Sequence, residues 1–153
     1  MVRGHERRRY HYVGVGWPFR IRTQPRRRRE GDLTALRVLV VEDDALIGML
    51  LAEMLAGMGH KVCGIEATEA DAVSAAARHP PDLMIVDVQL GDGSGVDAVA
   101  EIHRSGPIPH VFVSGNIANV KALQPGAVII QKPYRESDLA RVIQRALDAP
   151  SVS

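Results

Sequence analysis

A single cysteine, Cys63, is all the thiol in this 153-residue chain. That excludes an internal disulfide framework and a cysteine-based zinc site, and it fits a reducing compartment. Cys63 itself is read as chemically idle. Long hydrophobic runs are also missing. The longest uncharged apolar stretch, residues 45–52, falls far short of the roughly 20 residues a membrane span requires, and no apolar signal-peptide core follows the N-terminal arginines. Internal repeats are absent. What remains, 46% hydrophobic and 24% charged residues, is the composition of one globular domain with a real core, expected in the cytoplasm.

Charge is split along the chain. Residues 1–30 hold ten arginines against Glu6 and Glu30, a formal +8, so the rest carries −7 of the total +1. Arg7, Arg8, Arg9 and the run 26–29 interleave with Tyr10, Tyr12, Trp17 and Phe19. Like charges repel and apolar periodicity is weak, so residues 1–35 are expected to form a mostly disordered basic arm. Such an arm can grip a phosphate backbone or an acidic surface, be a solvated tail or an over-long start of translation, or fold back on the acidic domain of its own or a neighbouring chain. Functional nucleic-acid binding is the less favoured of these. Residues 149–153 read as a tail.

From Leu36 onward, short apolar runs alternate with helix-like stretches, the pattern of βα units closing into a parallel sheet covered on both faces. Strands are predicted at 37–41, 62–65, 83–86, 110–113 and 128–130. Helices are predicted from Asp44, as cap, to Met58; from Thr68, with Asp71 in a capping-box position, to Arg78; over 96–104; and over 136–147, where Leu139, Val142, Ile143 and Leu147 share one face. The predicted fold is α/β, doubly wound, five parallel strands in the order 2-1-3-4-5.

Three of those strands end in charge. The first runs into Glu42-Asp43-Asp44, the third into Asp87, and the fifth into Gln131 and Lys132. With strand one central, the chain leaves it in opposite directions toward strands two and three, and a crevice opens at their carboxyl ends. Asp43 and Asp87 face each other across it. Clustered carboxylates repel and raise one another's pKa unless a cation sits among them. Magnesium suits the position, since it takes one or two carboxylates and leaves coordination for phosphate oxygens. Lys132 adds a positive charge and Ser114, at the end of strand four, a hydroxyl. A carboxylate so flanked is arranged to attack phosphorus.

These residues form motifs: Val-Val-Glu-Asp-Asp at 40–44, Val-Asp-Val-Gln-Leu followed by Asp-Gly-Ser-Gly over 86–95, Val-Ser-Gly at 113–115 and Lys-Pro-Tyr at 132–134. In this order and spacing the chain resembles a response regulator receiver domain, the phosphoacceptor module of two-component signalling, of the chemotaxis-regulator, flavodoxin-like type. The resemblance covers residues 36–148. It implies that Asp87 is phosphorylated by a histidine kinase or histidine phosphotransfer protein. It further implies that Asp43 and Asp87 bind Mg2+, with Glu42 acting mainly through water and the Gln89 carbonyl as backbone ligand. Ser114 and Lys132 would contact the phosphoryl group, and the Lys132–Pro133 bond would be cis. Such a domain is a signalling phosphoacceptor and catalyses only its own phosphotransfer and dephosphorylation. Because six residues follow Leu147, a stand-alone regulator, shuttle or phosphate sink is expected rather than a DNA-binding protein.

The departures from the family pattern point to altered output. Gly91 replaces a common proline, Ile129 stands where an aromatic switch is frequent, and Ser114 to Lys132 spans only 18 positions. Helix four is therefore expected to be short or unwound, as in an atypical subgroup of receivers. Two other classes compete. A magnesium-dependent phosphatase using Asp87 would want a second acid at position 89, where Gln89 stands. A non-phosphorylated interaction module would keep Asp87–Lys132 as a plain salt bridge. Asp44 is expected to serve as a helix cap, Asp92 and Asp97 to lie in a loop and a helix start, and His60, His79, His103 and His110 to be solvated or packed. Finally, the first helix carries Glu53 as its only charge between Ala45 and Gly59. A helix covering a sheet normally shows a polar stripe, so a homodimer or partner contact there is expected, with Met49, Met54 and Met58 as adaptable contacts.

Overall fold

The computed structural model describes residues 35–150; the expectations for the basic arm and most of the tail lie outside the described residues. The elements are β1 (Arg37–Val41), α1 (Ala45–Gly57), β2 (Lys61–Glu66), α2 (Glu69–Arg78), β3 (Leu83–Asp87), β4 (Gln89–Leu90), β5 (Gly93–Ser94), α3 (Gly95–His103), β6 (His110–Ser114), α4 (Ile117–Leu123), β7 (Ile129–Gln131) and α5 (Glu136–Asp148).

Five strands form one parallel sheet in the order β2-β1-β3-β6-β7, the predicted doubly wound order. The alternation of side chains across the sheet explains why its central strands read as unbroken apolar runs. Val38, Val40, Leu83, Ile85, Val111, Val113 and Ile130 point to one face, where Leu51 and Leu55 of α1 and Leu139, Val142 and Ile143 of α5 cover them. Leu39, Val41, Met84, Val86, Phe112 and Ile129 point to the other, against Ala72 and Ala76 of α2, Val99 and Ile102 of α3 and Val120 of α4. Ile129 is thus a core residue, which accounts for an aliphatic side chain at a position where an aromatic switch is frequent.

Local chemistry sets the helix limits. Asp44 caps α1 by accepting the N–H groups of Leu46 and Ile47 at 3.0 and 3.1 Å, and Gly59 follows its end with φ +88°. Thr68 Oγ1 accepts Asp71 N–H at 3.1 Å to start α2. As anticipated, α4 is short, seven residues. Two features differ from expectation. The glycine-rich segment after β3 folds into a small antiparallel hairpin, β4–β5, whose two-residue strands are too short to show a sequence period. And of the three methionines expected to line a partner surface on α1, Met54 and Met58 are packed against the core; the outward face instead shows Leu46, Ile47, Met49 and Leu50.

Candidate functional site: an acidic crevice with one ammonium

The three charged strand ends do converge. Asp87, the last residue of β3, is 7% exposed, and Glu42, one residue past β1, is 5% exposed. Asp43 is on the surface beside them, and one carboxylate oxygen from each of Glu42, Asp43 and Asp87 lies within 4.8 Å of the others. Lys132, one residue past β7, is delivered by its own N–H, which donates to the Ser114 carbonyl at 2.9 Å. The Lys132–Pro133 bond is cis. Its ammonium donates to Asp87 Oδ2 at 2.5 Å and lies 4.0 Å from Glu42 Oε2. The surrounding crevice is about 650 Å3 and is also lined by Ile47, Val88, Gly91, Asn116 and Asn119.

Backbone donors fix the two buried acids. Asp87 Oδ1 accepts Gln89 N–H at 2.9 Å and Glu42 Oε1 accepts Asp44 N–H at 3.0 Å. The Gln89 carbonyl expected as a ligand thus belongs to a residue already tethered to Asp87. Gly95 lets the chain fold back tightly, since a Cβ there would overlap the Asp87 carbonyl, and Gly95 N–H donates to Val88 O at 2.8 Å. Gly91, at the hairpin turn, has φ +56°, a conformation that favours glycine over the proline the family pattern offers.

Ser114 is brought to the crevice rim, 8% exposed, but its hydroxyl is engaged locally: it donates to the Asn116 carbonyl at 3.1 Å and accepts Asn116 N–H at 3.0 Å. Asn116 and Asn119 line the crevice without having been singled out in the sequence. Their one signal is the spacing after Ser114, too weak to act on.

Four acids line the crevice, Glu42, Asp43, Asp87 and the helix cap Asp44, and against the one ammonium of Lys132 they leave it deficient in positive charge. Burial, first of all, pushes Glu42 up to about 7, with the Asp44 N–H pulling down and Asp87 pushing up. For Lys132, burial works to lower the pKa, yet Asp87 and Glu42 outweigh it and hold the ammonium above its ordinary value. An all-oxygen donor set with two buried carboxylates and one exposed, short of positive charge, suits a hard divalent cation.

The fold and this arrangement have close counterparts. Residues 38–144 match the model of the response regulator receiver domain. The chain belongs to that family. Similar proteins are the phyllosphere-induced regulator PhyR of Methylorubrum extorquens, 34% identical over 74% of this chain and 44% of that protein, and the transcriptional regulatory protein PdtaR of Mycobacterium tuberculosis, 37% identical over 72% of this chain and 56% of that protein. Among solved structures, the anti-anti-sigma factor PhyR of Bartonella quintana is similar with a TM-score of 0.69 and 31% identity, over 76% of this chain and 49% of that one. The chain therefore spans about half the length of these relatives. Receiver domains are signalling modules, and they typically bind Mg2+ at an acidic cluster of this kind.

Proposed function

We propose that this receiver domain takes a phosphoryl group onto Asp87 from a phosphohistidine of a histidine kinase or histidine phosphotransfer protein in the cytoplasm. In that step the histidine N–P bond breaks, a bond forms between an Asp87 carboxylate oxygen and phosphorus, and the electron pair stays on the imidazole nitrogen. The observation that carries the reading is the 2.5 Å contact of Lys132 with Asp87 beside two further carboxylates. Glu42, Asp43 and Asp87, with the Gln89 carbonyl, would hold Mg2+, whose part is to neutralise charge on the phosphoryl oxygens. Lys132 exchanges its Asp87 oxygen for a phosphoryl oxygen, and Ser114 turns its hydroxyl from Asn116 O to another. The domain changes population between states with and without these contacts, and acts as a signalling element, not as an enzyme with an external substrate.

The partner surface is the outward face of α1. Leu46, Met49 and Leu50 are 66%, 59% and 55% exposed, and Ile47 on the same helix also lines the crevice. An apolar helix of the phosphodonor lying there places its histidine over Asp87. A second copy of the chain is the other occupant for this face.

A second reading keeps the ion pair but no chemistry: Lys132 and Asp87 form a structural bridge, and the domain binds partners without modification. The engaged Ser114 hydroxyl favours it. Incubation with Mg2+ and a small acyl phosphate, followed by mass spectrometry, separates the two. The expected result is a gain of one phosphoryl group, lost in Asp87→Ala. No gain in the unaltered protein supports the bridge, and continuous release of phosphate without a modified species supports a phosphatase.

A further inference from the structure

The β4–β5 hairpin overhangs the crevice, carrying Gln89 at one end and Gly91 at its turn, where a Cβ would lie 3.8 Å from Asp43 Oδ2. Strands of two residues cannot hold such a unit in place by themselves. Its first strand is tied to Asp87 through Gln89 N–H. Its second strand is tied elsewhere: Ser94 N–H donates to Glu69 Oε1, on the first residue of α2, 25 positions earlier in the chain. The Glu69 side chain also lies against Gly93, where a Cβ would come within 2.9 Å of Oε1 and 3.3 Å of Cγ. Ser94 in turn caps α3, its hydroxyl accepting Asp97 N–H at 3.3 Å. Glu69 does not line the crevice, so it touches none of the groups placed there.

We propose that Glu69 is a positioning residue for the phosphoacceptor site: it clamps the hairpin from α2 and so fixes the Gln89 backbone relative to Asp87 and Asp43. This rests on the phosphoacceptor reading above. The plain alternative is an acid favoured near a helix N-terminus by the helix dipole. The two make opposite demands on Glu69→Gln, which keeps an acceptor oxygen and loses the charge.

The test uses the full chain as wild type, E69A and E69Q. Mg2+ affinity is measured by calorimetry, the rate of Asp87 modification by an acyl phosphate is followed over a Mg2+ series, and hydrogen exchange is followed at the Ser94 amide. The clamp gives E69A an apparent Mg2+ constant about tenfold weaker, the low end for loss of an outer support of a metal site. It also gives E69A a saturating rate within about twofold of wild type and a deprotected Ser94 amide, while E69Q stays close to wild type in all three. E69A matching wild type in Ser94 exchange and Mg2+ affinity overturns the proposal, as does E69Q being as impaired as E69A. If E69A does not fold, G93A, which crowds the carboxylate without removing it, must show the same weakened Mg2+ binding and Ser94 deprotection, or the proposal fails. A wild-type protein that binds Mg2+ but takes no phosphoryl group sinks the phosphoacceptor reading alone, because exchange and calorimetry still read the clamp.

Discussion

At the residue scale, Lys132 holds two buried carboxylates in check. Lys132→Ala leaves Glu42 and Asp87 facing each other without their ammonium, a change that is costly because burial prevents water from replacing it. The side chain of Lys132 is 35% exposed, so solvent discounts the loss to about 1–2 kcal/mol. Thermal melting of K132A should therefore show a lower Tm than wild type, with Mg2+ restoring part of the difference. His110 gives a pH-dependent prediction away from the crevice. Its Nδ1 and His103 Nε2 both approach the Ile108 carbonyl at 3.1 Å, and the His110 ring stacks edge-on against Phe112. Burial chiefly lowers its pKa from 6.5, His103 adds to that, and the Ile108 carbonyl opposes both. With the folded pKa depressed, the unfolded chain takes up the proton first as pH falls. The stability His110 confers is thus complete above about 6.5 and declines below it. Denaturant midpoints at pH 7.5 and 5.5 should fall further for wild type than for His110→Gln; equal declines would show that His110 is not the source.

At the scale of elements, α1 has two faces that differ in burial. Leu55 is fully buried on the core side and Leu50 is 55% exposed on the other. Leu55→Ala should cost about 2–5 kcal/mol by transfer and cavity together. Leu50→Asp should change stability by no more than about 0.5 kcal/mol. If the outward face receives the phosphodonor, L50D raises the KM for transfer from the cognate kinase and leaves modification by a small acyl phosphate as it was. Loss of both reactions would show damage to the crevice instead.

For the whole molecule, the reversal of strand order between β1 and β3 opens the crevice at the carboxyl ends where acids from β1 and β3 meet. A second copy on the α1 face would bury Leu46, Met49 and Leu50 together. Sedimentation from low to high micromolar concentration tests it. A shift toward twice the monomer mass that L50D abolishes supports the dimer; a monomer throughout assigns the face to another partner.

The sequence by itself determined the doubly wound sheet, because buried strands must be continuously apolar and turns must be marked by glycine, proline and capping residues. It determined the acids and the lysine as well, because a charge directly after an apolar run has few other reasons to be there. It also located the short α4 between Ser114 and Lys132. Only the tertiary structure decided which way side chains point. The apolar α1 could be read as exposed on any face, until the sheet claimed Leu51, Leu55, Met54 and Met58. That the Ser114 hydroxyl is held by Asn116 was likewise not visible in the linear order. The clamp from Glu69 to Ser94 joins residues 25 positions apart, and neither residue has a local pattern that names the other. Periodicity and capping are local and survive in the linear order of residues; contacts across elements depend on how the layers close, and that is fixed only when the whole core is buried.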